Sequence, residues 1–181
     1  MTGTHVALPR PVAVGRWLWF TAVVSACIAA VLQNVAVRAV EAKLVAAWMG
    51  SLLPGGVFAV DTKFVILNSV DGPVAFDVTA ECTALVLVVP LALLVGFMTL
   101  HRGTSLVRSA LALTLSVVVM AFINQGRLGL IAWATHYWGI DPGYEVTHAL
   151  LGSLLSLIGF AFGVLLVLRT LGVVGGKGHV R

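Results

Sequence analysis

The chain carries four apolar stretches, Trp17 to Val37, Thr83 to Leu100, Ser109 to Ala132 and Thr147 to Leu168. Each approaches or exceeds the roughly 20 residues with which a helix crosses a hydrocarbon core about 30 Å thick. Lipid offers no partners to backbone amides, so segments of this kind must satisfy their own hydrogen bonds as helices. Of the 181 residues 60% are hydrophobic and only 10% charged, against about a quarter charged in a soluble domain. The mean hydropathy of +1.06 agrees. The expected fold is an all-α integral membrane protein, a single membrane domain over residues 1–181 with transmembrane helices at 17–37, 83–100, 109–132 and 147–168.

The segment 39–81 between helices one and two has a different character. From Val40 to Leu53 it places Glu41 and Lys43 ahead of Leu44, Val45, Ala47, Trp48, Leu52 and Leu53, the pattern of an interfacial amphipathic helix, and Pro54-Gly55-Gly56 ends it. The period then shifts toward two in Lys63 to Leu67 and Val74 to Thr79, which flank Asp71-Gly72-Pro73, so a small β-hairpin is expected. A hairpin alone is marginal in water, which requires it to pack on the helix ends or receive a partner strand. Arg10 and Arg16 precede the first apolar stretch as in a signal peptide, but the stretch exceeds a signal core and reads as a retained helix. Gly172 to Arg181 reads as a flexible tail.

The formal charge of +4 raises the question of nucleic acid. The basic residues are scattered with no patch of interleaved aromatics, so no nucleic-acid partner is expected. Membrane topology explains the charge better, because short loops rich in lysine and arginine stay cytoplasmic. With both termini inside, that side holds Arg10, Arg16, Arg102, Arg108, Arg169, Lys177 and Arg181, seven of the eleven basic residues. The outer side then holds all seven acids, Glu41, Asp61, Asp71, Asp77, Glu81, Asp141 and Glu145. Trp133 and Trp138 mark an interfacial belt at the outer end of helix three. The expected location is the plasma membrane, with a defined extracytoplasmic face.

Three reactive side chains reach that face from three helices. Cys82 begins helix two, Arg127 lies in the last part of helix three about 9 Å below Trp133, and His148 begins helix four. Side chains on facing helices converge where residues of one helix cannot, and an arginine at that depth is costly unless paired or wet. A cysteine at a helix N-terminus feels the positive end of the macrodipole, and a guanidinium beside it adds to the preference for thiolate, with Glu81 opposing. His148 is placed to serve as general acid and then general base, and Arg127 to stabilise an oxyanion or hold a carboxylate. Asn124 shares a helical face with Arg127 and can orient it. Gly126 leaves room for backbone approach, and Gly152, Ser156, Gly159 and Gly163 form a stripe of small residues for close helix packing beside His148.

Other chemistries find less support. Cys27 lies inside an apolar run, so neither a disulfide with Cys82 nor, without a CxxC, paired-thiol redox chemistry is expected. Cys82, His136 and His148 lack close ligand spacing and the arginine opposes a cation, so no metal or other cofactor is expected. His136 and Glu145 lie near the outer face as ordinary interfacial residues, and His5, His101 and His179 fall on the cytoplasmic side. Taken singly, Cys82 is as well read as a small apolar filler, Arg127 reads as functional more readily than as snorkelling, and His148 reads more readily as an interfacial residue than as a catalyst. A nonenzymatic binding or assembly protein that uses Arg127 and His148 to recognise a lipid headgroup or partner helix is the main alternative. A transporter is a third, against which stands the clustering of polar groups at one face.

The motifs resemble those of the exosortase and archaeosortase family of polytopic membrane cysteine transpeptidases. Glu81-Cys82-Thr83-Ala84-Leu85 is similar to the family's Cys-Thr/Ser-Gly-Leu/Ile block, Asn124-Gln125-Gly126-Arg127-Leu128 to its Asn-x-x-Arg-Ile/Leu block, and His148 with Gly152 to its His-x-x-x-Gly block. Their order and helix placement also agree. The resemblance implies that Cys82 is the nucleophile and Arg127 and His148 its partners. It implies as substrates exported proteins ending in a short motif, a transmembrane helix and a basic cluster. An acceptor in membrane lipid or envelope material would resolve the acyl-enzyme. Ala84 stands where the family usually has glycine, which bears on the substrate motif more than on the chemistry. The chain looks like a minimal version of the fold.

Overall fold

A computed structural model of the chain describes residues 11–102 and 104–174. Arg10, Lys177, Arg181, His5, His179 and all of the glycine-rich tail after Val174 lie outside the described residues. Helix α1 (Pro11–Leu32) is followed after Gln33 by α2 (Asn34–Met49). A three-stranded antiparallel sheet comes next, β1 (Val57–Val60), β2 (Lys63–Ser69) and β3 (Gly72–Asp77) in that order. Helices α3 (Leu85–Arg102), α4 (Leu106–Trp138) and α5 (Gly152–Thr170) complete the fold. A kinked segment, Gly139–Tyr144, with extended backbone at Asp141 (φ −116°, ψ 106°), and a wide π-helical turn, Val146–Leu151, join α4 to α5.

Three helical runs, Val14–Leu32, Leu106–Asp141 and Val146–Thr170, are long and apolar enough to cross a membrane, while the apolar helix Leu85–His101 is shorter. Their outward faces are those of a bilayer protein. Trp17, Leu18 and Leu32 on α1 and Phe122 on α4 are largely exposed, as side chains are when lipid is their solvent. Two separate cores hold the chain together. Leu91 and Val95 of α3, Ala112 and Met120 of α4 and Val167 of α5 form the one within the helices. The other joins Ala42, Val45 and Met49 of α2 to Phe64 and Ile66 of β2, Leu128 and Ala132 of α4, and Cys82.

The helix boundaries differ from the expected ones for local reasons. The first apolar run breaks at Gln33 rather than continuing to Val37, because Asn34 Nδ2 donates to the Val31 carbonyl (2.9 Å) and competes with the helical ladder. The interfacial helix consequently starts earlier and ends at Met49. Helix α4 spans 33 residues, about 50 Å, and outruns the expected 109–132 at both ends; Ser105 caps its start by accepting the Arg108 N–H (3.3 Å).

The expected hairpin is two strands of a three-stranded sheet. Val57-Phe58-Ala59-Val60 pairs with β2 in the register Val57 to Ile66 and Val60 to Lys63. Phe64 faces Phe76 across β2 and β3, and the register shifts between Ile66 and Ser69. That shift lets Phe64, Ile66 and Ser69 all point inward. Pro73 lies in β3, an edge strand, where its missing N–H costs no ladder bond. The sheet grips the C-terminal end of α4. Ser69 Oγ donates to the Thr135 carbonyl (3.1 Å), and Asp71 Oδ2 accepts the Ile140 N–H (2.6 Å).

Candidate active site

Cys82 lies in the turn that leads into α3, three residues before its first residue, Leu85, rather than as that first residue. Its own N–H donates to the Thr79 carbonyl (3.0 Å), and the Leu85 N–H reaches Thr83 Oγ1 (3.4 Å). The Ala84 N–H donates to Glu41 Oε1 on α2 (2.8 Å). The Thr83 N–H, next to the cysteine, has no acceptor among the described residues. The thiol is 6% exposed.

The Arg127 guanidinium meets this turn from α4. Its Nη2 donates to Cys82 Sγ at 3.8 Å, while its buried Nε has no hydrogen-bond partner among the described residues. No carboxylate pairs with Arg127 among the described residues. Gly152 makes the arginine's position possible, since a β-carbon there would stand 2.9 Å from Arg127 Nε and 3.4 Å from its Cγ. The other glycines of the same α5 stripe do the same for apolar partners on neighbouring helices: Gly159 seats Ile123 of α4, and Gly163 seats Met120 of α4 and Leu91 of α3. Asn124 is 1% exposed, and among the described residues its Nδ2 has no partner within hydrogen-bonding geometry. Its side chain faces the Glu41 carboxylate. Gly126 opens onto the far side of α4, where a β-carbon would touch nothing within 4 Å.

His148 sits in the wide π-helical turn that opens the helical run Val146–Thr170, at the start of the fourth apolar span as expected. Its ring stacks on Tyr144 (centroids 4.9 Å, interplanar angle 12°), Tyr144 on Phe76 (5.2 Å), and Phe76 on Phe64 (5.4 Å). Aromatic packing running from the sheet therefore sets the imidazole plane. Arg127 and Glu81 are the charged groups it feels.

Cys82, Glu81 and His148 line both of two neighbouring cavities. One, about 700 Å³, runs between α3 and α5 with Arg127, Pro90, Leu157 and Phe160 in its walls. Pro90 has no N–H to give the Val86 carbonyl, and both residues line this space. The other cavity, about 420 Å³, lies under the sheet between Ala75, Asp77, Thr79 and Tyr144. His136, Glu145 and Cys27 line neither. The structure thus brings Cys82, Arg127, His148 and Glu81 together, with Gly152 beneath the arginine and Asn124 behind it.

Two contributors carried no expected role. Glu41 is 7% exposed, and burial pushes its carboxyl above the usual glutamate range, opposed by the Ala84 N–H and by nearby Thr83 and Asn124. Its Oε2 has no partner within hydrogen-bonding geometry among the described residues. Helical spacing signals this position, because Glu41 shares the buried face of α2 with Val45 and Met49 at i, i+4 and i+8. Tyr144, the second, leaves no such trace. No family model matches the chain, and neither does any curated protein or solved structure.

Proposed function

We propose that the chain is a membrane-embedded cysteine transpeptidase of the exosortase and archaeosortase type, acting on the C-terminal sorting signals of exported proteins. The observation that carries this reading is the Arg127 guanidinium on Cys82 Sγ at 3.8 Å with His148 lining the same cavity. In it, the Cys82 thiolate attacks the scissile carbonyl, and Arg127 with the free Thr83 N–H receives the oxyanion. His148 gives its proton to the departing amine, leaving a thioester on Cys82. Neutral His148 then takes a proton from an acceptor nucleophile in lipid or envelope material, whose attack expels the thiolate.

Four membrane spans, α1, α3, α4 and α5, place both termini in the cytoplasm and the sheet and Cys82 on the extracytoplasmic face of the plasma membrane. A substrate threaded across Cys82 occupies both cavities. Its signal motif lies under the sheet, and the transmembrane helix that follows enters the groove between α3 and α5.

Replacing Cys82 by Ala tests the reading in cells carrying a protein that ends in a motif, helix and basic cluster. Processing stops while the variant stays in the membrane; processing at the wild-type rate rules out a cysteine mechanism. A Cys82 thiol that alkylates no faster than an ordinary buried cysteine favours lipid or helix recognition by Arg127 and His148 instead.

A further inference from the structure

We infer that Glu41 is a positioning residue that fixes the Cys82 turn relative to Arg127. The role rests on the proposed cysteine chemistry, but the geometry stands by itself. An α-helix leaves its first N–H groups without helical acceptors, and a glutamate three residues into the helix commonly reaches back to the capping residue's N–H. Here that helical position is Leu87, an apolar wall of the larger cavity, so the turn has no such acceptor of its own. Glu41 supplies one from another helix, accepting the Ala84 N–H at 2.8 Å.

The same residue is tied to the helix of Arg127. Gln125 Nε2 donates to the Glu41 carbonyl (3.3 Å), and Trp48 Nε1, two turns along α2, donates to Gln125 Oε1 (3.1 Å). Asn124 faces the Glu41 carboxylate from one turn before Arg127. A single residue of α2 thus touches the cysteine turn through its side chain and α4 through its backbone. The separation of sulfur and guanidinium follows from where that residue sits.

The test uses the full chain in membrane vesicles, in a Cys27→Ala background so that Cys82 is the thiol read. Alkylation of Cys82 by iodoacetamide is timed in Glu41→Gln, Glu41→Leu and Glu41→Asp, and sorting-signal processing is resolved into kcat and KM. Glu41→Gln keeps an acceptor oxygen at the same reach and is expected to alkylate within about twofold of wild type. Glu41→Leu lacks the acceptor and Glu41→Asp falls short of Ala84, so both slow by about tenfold, the scale of one lost hydrogen bond to a charged group. In processing, kcat falls by a similar factor at unchanged KM, and Gln restores it.

Wild-type alkylation in the Asp or Leu variant overturns the inference, as does a Gln variant as slow as Leu. Should Leu fail to reach the membrane, the contrast of Asp with Gln decides alone. Alkylation needs no substrate, so a chain that processes nothing refutes the transpeptidase reading while the order of alkylation rates still decides Glu41's role.

Discussion

Adding one methyl group at Gly152 separates the position of Arg127 from the stability of the helices. The new β-carbon of Gly152→Ala would stand 2.9 Å from Arg127 Nε and 2.8 Å from the Thr147 carbonyl oxygen. Ordinary contact needs roughly half an ångström more, and the backbone carbonyl of a packed π-helical turn yields less easily than a side chain. The guanidinium therefore moves off Cys82 Sγ by about that distance. Overpacking of this kind costs about 1–3 kcal/mol of stability, and a displacement of up to 1 Å at reacting groups lowers a rate by about 10- to 100-fold. Gly159→Ala supplies the control. Its β-carbon would lie 2.7 Å from Ile123 Cδ1 on the same pair of helices, with no catalytic group nearby. Processing of a sorting-signal reporter is measured for both, alongside thermal unfolding in detergent. The expected result is a similar loss of stability in the two variants and a loss of kcat in Gly152→Ala alone. Equal kcat losses that track unfolding temperature would refute the claim that Gly152 exists to seat Arg127.

Arg127→Lys keeps the charge but loses the planar fork and reach of the guanidinium, so processing should fall by about 10²- to 10³-fold at near-wild-type membrane levels; pulse-chase of the reporter reads it. Tyr144→Phe preserves the stack on His148 and should process normally. Tyr144→Leu removes about 0.5–1.5 kcal/mol of ring packing and should lower kcat by about tenfold or less. Equal activity in Phe and Leu would show that the ring does not hold the imidazole.

Polar groups stranded in apolar sequence made much of the site legible. Arg127 stands out because a guanidinium at membrane depth needs a reason, and Cys82 and His148 because both border long apolar runs. What sequence hides is contact across long separations. Glu41 lies 43 residues before Ala84, and an acid near the start of an amphipathic helix reads as solvent-facing unless its periodicity with Val45 and Met49 is followed. Strand β1 was hidden by its own composition: Val57-Phe58-Ala59-Val60 has no polar alternation and follows a Pro-Gly-Gly break. The π-helical turn around His148 has no sequence signature of that strength; Thr147 Oγ1 donates to the Gly143 carbonyl there. The His148 ring stacks on Tyr144, four residues earlier.

Each member of the trio is held by a different kind of force, and the choice follows from where it sits. The Cys82 turn is irregular backbone next to apolar helices, where unpaired N–H groups are expensive, so it is fixed by a hydrogen-bond acceptor brought from α2. Among the described residues Arg127 has no carboxylate to pin it, and a partner acid would neutralise the charge the proposed oxyanion needs; the missing side chain of Gly152 holds it by shape instead. His148 must change protonation state during the proposed cycle, and a ring stacked on Tyr144 keeps its plane in both states while leaving its nitrogens free for substrate. The sheet, joined to both the Tyr144 stack and the end of α4, is therefore part of the machinery that holds the imidazole.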